Sequence, residues 1–288
     1  MRGIVTPRAN YLRVFLTFAR NSLVRNMAFR ANFLIECVSS VTWTLMNLGF
    51  YLLIFQYTAA IGAGTGWGKW EFFAFLATTM LVNSLVQAFF MPNCEEVSEL
   101  IRTGGLDFAL LKPIDTQFLI SLEKIDWSAL ANFAAGLILL VVSLHQLTTR
   151  DVAPLVLRPE MIALYVFYVL CGVAILYSLM IALSATSIWL GQNRSLYDFW
   201  FYITNFSRYP MEIYSGTWGT PLQWACTFII PVLVVVNVPA RIIARPVSPS
   251  GETVWPLALF TLFATAGCLL ASRWVFQAAL RNYRSASS

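Results

Sequence analysis

The chain has 288 residues, of which 58% are hydrophobic and only 11% are charged, and its mean hydropathy is +0.68. An ordinary soluble domain carries about 25% charged residues, so this composition excludes a soluble globular fold and predicts an all-α polytopic membrane protein. The net charge of +5 does not indicate nucleic-acid binding, because the arginines cluster at the ends of apolar stretches and in the terminal segments, the positive-inside pattern of membrane proteins.

The N-terminal segment, residues 1–30, is basic and rich in aromatic side chains. Its arginines alternate with phenylalanine and leucine, as in a helix that lies on an anionic lipid surface. We expect an interfacial helix from Phe15 to Arg30. The segment is too polar for a secretory signal, so we expect it to stay in the cytoplasm.

Six apolar stretches are long enough to cross a bilayer core about 30 Å thick, which takes about 20 helical residues. The predicted spans are residues 31–57, 70–91, 118–144, 161–190, 196–213 and 255–280. This arrangement places both termini in the cytoplasm and most lysines and arginines on the cytoplasmic side. The sequence therefore predicts a single transmembrane domain with six spans.

The stretch before the last span is apolar but broken. Residues 219–238 contain Pro231 and are closed by Pro239. Irregular backbone at membrane depth is tolerated where protein buries it or where it lines a cavity, so we predict a re-entrant hairpin here. Alternatively residues 219–238 cross fully and residues 196–213 do not, which would move Arg241 and Arg245 to the cytoplasmic side.

A charged stretch, residues 93–113, separates the second and third spans. Its sequence, NCEEVSELIRTGGLDFALLKP, begins with Asn93 as an N-cap and continues to Gly104 and Gly105, which can stop a helix in the left-handed conformation. We therefore predict a short cytoplasmic helix from Cys94 to Thr103. One side of it is polar and the other apolar, which is typical either of a solvated loop with a lipid-facing edge or of a docking element that passes a partner's motion to the spans.

Two segments of the chain resemble a known family. The run EEVSELIRTGGLDFALLKPIDTQF is similar to the cytoplasmic loop of ABC-2-type exporter permeases of a six-span bacterial subfamily. The runs FSRYPMEIY and FIIPVLVVVNVPARII resemble the segment before the last span in that subfamily. The motifs keep their order and spacing over nearly the whole chain, although Gly105 after Gly104 departs from the pattern and predicts a softer hinge.

The resemblance implies a permease of the bacterial inner membrane that pairs with a second permease, identical or homologous, and with cytoplasmic ABC ATPase subunits. ATP and magnesium would be bound by those partners, so no cofactor is expected in this chain. The short helix would be the coupling helix that contacts the ATPase. The residues implied in this coupling are Glu95, Glu96, Glu99, Leu100, Arg102 and Gly104.

The chain lacks the motifs of an enzyme. GAGTGWGKW imitates a phosphate-binding loop, but Ala63 stands where the first glycine is needed and Trp70 where a serine or threonine must meet magnesium. His145 is the only histidine, so a histidine-based zinc site or catalytic triad cannot be assembled in one chain. We expect no catalytic residue and no metal site.

Charged and kinked positions inside the predicted spans are candidates for a transport path or for structural ion pairs. Glu36 lies about one turn into the first span, where Arg25 or Arg30 could anchor it. Arg208 and Glu212 flank a Tyr209-Pro210 kink and could pair there.

The functional hypothesis is therefore a permease subunit of an ATP-driven exporter for an amphipathic or hydrophobic substrate, such as a drug-like molecule, a lipid or a glycolipid. An ion-coupled secondary transporter or channel without an ATPase is the alternative. That class favours two sequence-similar halves with paired broken helices, and the sequence shows one broken region and no halves. A membrane scaffold without transport is a third class.

Overall fold

A computed structural model of the protein describes residues 10–61, 66–151, 154–190, 201–202, 204–244 and 254–283. Up to residue 190 the described residues form eight α-helices: α1 Tyr11–Ala28, α2 Arg30–Tyr57, α3 Lys69–Phe89, α4 Met91–Arg102, α5 Gly105–Leu110, α6 Thr116–Leu122, α7 Ala129–Thr148 and α8 Pro159–Leu190. From residue 211 onward the chain forms a 3-10 helix Met211–Tyr214, α9 Gly219–Trp224, a π-helical turn Ala225–Ile229, α10 Leu233–Ala244 and α11 Trp255–Arg281.

The described residues contain five helices that are long and apolar enough to cross a membrane, or six if a bent pair counts as one span. The all-α multi-pass architecture is thereby confirmed. Helices α2, α3, α8 and α11 agree within two residues at each end with the predicted spans 31–57, 70–91, 161–190 and 255–280. The predicted span 196–213 falls largely outside the described residues. Helix α1 is also present, four residues earlier at its start than expected.

The third span differs from its prediction. Residues 118–144 do not form one helix, because α6 ends at Leu122 and α7 begins at Ala129. The connection is held by Asp126, whose N–H donates to the carbonyl of Ala88 at 2.8 Å and whose carboxylate accepts from the N–H of Ser128 at 2.8 Å. Such local side-chain bonds compete with helical ones, so the polar connection interrupts the helix and the candidate span begins at α7.

Helix α3 is the centre of the bundle. Its phenylalanines Phe72, Phe73 and Phe75 are almost completely buried, and α3 packs against α7, α8 and α10. Helix α8 in turn packs against α10 and α11. Helix α2 lies at the edge, because only 6% of its most apolar window is buried. The molecule therefore has a buried central helix and a first span that faces lipid or another subunit.

The segment before the last span contains a sharp bend. The helical stretch Gly219–Ile229 and α10 meet at 90° across a three-residue break, a geometry that suits a broken span as well as the predicted re-entrant hairpin. The expected end of this element at Pro239 is wrong, since Pro239 lies inside α10 and the helix continues to Ala244. A proline removes the helical bond to the carbonyl four residues earlier, here that of Val235, and Gly172 of α8 packs closely against this carbonyl.

Candidate functional site

Helix α4 is attached to the bundle by one face. It begins at Met91 with Pro92 in its first turn, so Asn93 is not the N-cap that the sequence predicts. Asn93 is instead buried, and its amide donates to the carbonyl of Lys124 at 2.7 Å and accepts from the N–H of Lys124 at 2.8 Å. The side chain therefore ties α4 to the connection between α6 and α7 rather than closing its own helix.

Further bonds join α4 to α8. The hydroxyls of Ser98 and Ser187 lie 2.9 Å apart, and the hydroxyl of Ser184 donates to the carbonyl of Cys94 at 3.2 Å. Val97 and Ile101 are buried on the same face. A displacement of α4 must therefore also move α8 or break these contacts, because close-packed interiors transmit strain.

The coupling residues expected from the resemblance fall into two groups. Glu96 forms an ion pair with Lys124, and Leu100 is half-buried against the core, so both face the subunit itself. Glu95, Glu99 and Arg102 are exposed. Arg102 donates from Nε to Glu99 Oε2 at 2.9 Å and from Nη2 to Glu99 Oε1 at 2.6 Å.

A glycine in the left-handed conformation joins α4 to α5, and the exposed face extends from α4 onto α5. Gly104 has φ of 72°, as the sequence predicts for a helix stop, and α5 starts at Gly105. Phe108 and Leu111 are 72% and 81% exposed. We call the exposed side chains Glu95, Glu99, Arg102, Phe108 and Leu111 the α4–α5 surface. It combines charge with apolar area, the composition of a protein-binding surface.

Shortly after this surface in the chain, Asp115 belongs to an ionic network that the sequence did not reveal. Arg273 of α11 donates to both carboxylate oxygens of Asp115, at 2.9 Å for Oδ1, and to Gln117 at 2.9 Å. Asp115 also accepts from the N–H of Phe118 at 3.0 Å and so caps α6. The Arg273 guanidinium, followed by this N–H, holds the pKa of Asp115 below its ordinary value although partial burial opposes the shift. Gln117 donates to the hydroxyl of Tyr177 in α8 at 3.0 Å. The network thus links α6 to α8 and α11.

The sequence suggests an ion pair between Arg208 and Glu212, but Glu212 has a different partner in the structure. Glu212 forms an ion pair with Arg241 of α10, and none of the salt bridges among the described residues contains Arg208. Arg241 is 9% exposed inside the helix, not in an external loop. Asn237, one turn earlier, accepts from the N–H of Met211 at 2.9 Å. The spacing of four residues between Asn237 and Arg241, in an otherwise apolar run, is the signal that could have identified this polar face.

The other candidate path residues lie at separate places. Pro210 is buried and precedes the 3-10 helix, Tyr209 interacts with Tyr51 of α2, and Arg208 lines a cavity between the spans. Glu36 is exposed and accepts a hydrogen bond from Asn32 at 2.6 Å. Its expected anchor by Arg25 or Arg30 is absent from the ion pairs of the described residues.

The described residues contain no group of three or more histidine, cysteine, aspartate or glutamate side chains that could bind a metal ion. Fold and site together define a multi-pass helical membrane protein with a charged, partly apolar surface on a short helix between two spans. A family model described as "ABC-2 family transporter protein" matches residues 41–287, and the chain belongs to this family. It is therefore the membrane domain of an ABC transporter, a class that works with ABC ATPase subunits. No curated protein and no solved structure matched the chain.

Proposed function

We propose that this permease exports an amphipathic or hydrophobic substrate from the cytoplasm or the inner leaflet of a bacterial inner membrane, and that its α4–α5 surface receives the ATPase. Both termini lie in the cytoplasm in this proposal, and ATP and magnesium belong to the ATPase. A second permease, identical or homologous, completes the transporter. The observation that supports this proposal most directly is the arrangement of α4, which has an exposed charged face and a buried face bonded to α8.

The mechanism follows from these contacts. ATP binding closes the ATPase subunits, and Glu95 and Glu99 offer them negative charges beside the apolar Phe108 and Leu111. Motion of α4 passes to α8 through the Ser98–Ser187 contact and the packed Val97 and Ile101. Motion of α5 reaches α6, where Asp115 connects to Arg273. The spans then reorient around the buried helix α3.

The alternative of ion-coupled transport gains less support. A secondary transporter uses buried carboxylates near the bilayer midplane to bind its coupling ion. Two carboxylates of the described helical bundle are paired with arginines, Glu71 with Arg150 and Glu212 with Arg241. Each of these two carboxylates is already bound by a guanidinium, which does not suit reversible binding of a coupling ion.

The experiment is an affinity purification of the full chain, co-expressed with the ABC ATPase encoded by its genomic neighbours, in mild detergent. We expect the ATPase to copurify with the wild type and with a control, Asp151→Arg/Glu160→Arg, which reverses two exposed carboxylates on the predicted external side. The variant Glu95→Arg/Glu99→Arg should no longer copurify with the ATPase, since like-charge contacts and lost ion pairs cost several kcal/mol at an interface.

A second variant tests the apolar part of the surface. Phe108→Ser/Leu111→Ser keeps every charge and should also reduce copurification, because both side chains are exposed and contribute no core packing. Copurification of the ATPase with both double variants at the wild-type level would reject the α4–α5 surface. Absence of any ATPase with the wild type would reject ATP-driven export and favour ion-coupled transport.

A further inference from the structure

A polar groove runs through the transmembrane part of the subunit. A cavity of about 450 Å³ lies between α2, α3 and α7 and is lined on one side by Arg208. A second cavity of about 420 Å³ extends toward α4, where Glu95 and Asp126 line it. Asn83, Gln87 and Arg208 line both cavities, so the two are adjoining parts of one groove. Its volume is in the range of small-molecule sites.

The three shared residues have unused hydrogen-bonding capacity. Asn83 Oδ1 is buried without a hydrogen-bond partner, and Gln87 lies four residues later, on the same face of α3. Arg208 takes part in none of the salt bridges of the described residues. Buried polar groups normally have partners because desolvation is costly. The three side chains are therefore free to bind a ligand between them.

Other polar residues of the groove are already occupied within the protein. Asn132 of α7 donates to Ser40 and accepts from Thr44 at 3.1 Å, which joins α7 to α2. Asn47 and Thr79 bond to carbonyls of their own helices. These bonds give structural roles to the surrounding residues and separate them from Asn83, Gln87 and Arg208.

The charge of the first cavity, the one between α2, α3 and α7, indicates which chemical group would bind there. Among the described residues that line it, Arg208 alone is charged, whereas the carboxylates of Glu95 and Asp126 line the second cavity. A charge at membrane depth is costly unless it is paired, and a guanidinium pairs best with a phosphate or a carboxylate through two parallel bonds. The amides of Asn83 and Gln87 can donate to and accept from hydroxyl groups. Trp43 at the rim of the cavity is 60% exposed and offers an apolar surface to the rest of a ligand.

We propose that Arg208, Asn83 and Gln87 bind the anionic, hydroxyl-bearing group of a phosphate ester, carried by a lipid or by a water-soluble molecule. The inference rests on the proposed function in one respect, namely that the bound ester is the transported substrate. Arg208 pairs with the phosphate, and the two amides bind the neighbouring hydroxyls. Acyl chains, where present, lie over the exposed apolar residues of α2.

The test measures binding to the purified full chain in a neutral detergent by quantitative native mass spectrometry. The lipid arm compares phosphatidylglycerol with diacylglycerol of the same acyl chains, which lacks the phosphate, and the soluble arm uses glycerol 1-phosphate. We expect phosphatidylglycerol to bind at least about tenfold more tightly than diacylglycerol to the wild type, the scale of one hydrogen bond to a charged group. Arg208→Gln should abolish this preference, and Arg208→Lys should retain part of it.

A matched control separates the groove from general surface charge. Arg281→Gln removes one exposed positive charge at the end of α11 and should leave the preference unchanged. An equal preference in wild type and Arg208→Gln, or an equal loss in Arg281→Gln, overturns the proposal. If Arg208→Gln is not monodisperse, Asn83→Leu/Gln87→Leu replaces it, and full retention of the preference in that variant has the same meaning.

The two arms also identify the source of the ligand. Arg208-dependent binding of phosphatidylglycerol supports a lipid, and Arg208-dependent binding of glycerol 1-phosphate alone supports a water-soluble ester. Neither measurement needs an ATPase. Arg208-dependent binding without ATPase copurification would reject only the proposed export function, and copurification without Arg208-dependent binding would reject only the phosphate-ester site.

Discussion

Arg273 connects the last span to the rest of the bundle at its predicted cytoplasmic end. It lies in an apolar helix and bonds to Asp115 and Gln117, which belong to the start of α6. The Arg273 and Asp115 side chains are 42% and 31% exposed, so solvent screens their attraction. The contribution of Asp115 is therefore the sum of a modest ion pair and a helix cap.

Two substitutions of Asp115 separate these contributions. Asp115→Asn keeps an N-cap side chain and loses the charge, which should cost about 0.5 to 1 kcal/mol. Asp115→Ala also loses the cap and should cost about 1 kcal/mol more. The check is the Tm of the detergent-purified protein, which should fall for asparagine and fall further for alanine. Equal values for both variants would show that the cap contributes nothing.

The pH dependence of the Asp115 contribution has a definite sign. Because its folded pKa is below the unfolded value of about 4, the stabilisation is present above that value and is lost as pH falls through the folded pKa. The Tm difference between wild type and Asp115→Asn should therefore stay constant from about pH 5 to 8. A difference that changes within this interval would contradict the Arg273 assignment.

Glu212 provides a direct comparison of its two candidate arginine partners. In the structure the carboxylate pairs with Arg241, and breaking a buried pair from one side costs about 3 to 5 kcal/mol. Double-mutant cycles with Glu212→Gln should give a coupling energy above about 1 kcal/mol for Arg241→Gln and less than about 0.5 kcal/mol for Arg208→Gln. Thermal unfolding of the four proteins in each cycle measures this. A larger coupling to Arg208 would restore the pairing expected from the sequence.

At the scale of elements, Gly172 determines how closely α8 and α10 approach. A Cβ atom at this position would lie 2.7 Å from the carbonyl oxygen of Val235, which is backbone and cannot rotate away. At Gly267 of α11 a Cβ atom would meet nothing within 4 Å. The two glycines are therefore matched in residue type and in their location inside a span, and they differ in packing.

Alanine at each glycine should give opposite results. Gly172→Ala forces the helices apart and should destabilise the protein by about 1 to 3 kcal/mol, as overpacking does. Gly267→Ala should be neutral or slightly stabilising, because alanine favours a helix over glycine. Thermal unfolding in detergent checks both. A similar Tm for the two variants would show that α10 can shift away from α8 without cost.

At the scale of the whole molecule, the orientation in the membrane is testable from exposed positions. We expect Glu160→Cys, in the first turn of α8, to react with a membrane-impermeant maleimide added to intact cells, and Lys112→Cys and Asn282→Cys to react only after permeabilisation. Each is introduced into a variant whose five native cysteines are replaced by serine or alanine. The reverse labelling pattern would place both termini outside and remove the α4–α5 surface from any cytoplasmic ATPase.

The sequence alone predicts the membrane class, the four spans that agree with α2, α3, α8 and α11, the short amphipathic helix and the left-handed stop at Gly104. Each of these follows from local information. A run of apolar residues has to leave water wherever the rest of the chain lies, and glycine adopts a positive φ at little cost.

The tertiary structure alone decides which polar groups meet. Asn93 is a plausible N-cap by its neighbours, yet it bonds to Lys124, 31 residues later. Glu212 pairs with Arg241 rather than with Arg208, and Asp115 bonds to Arg273, which lies 158 residues later in the sequence. The interruption between α6 and α7 likewise depends on the carbonyl of Ala88 in another helix. Apolar length is a property of a segment, whereas a buried hydrogen bond or ion pair needs a partner that only the packing of helices can supply.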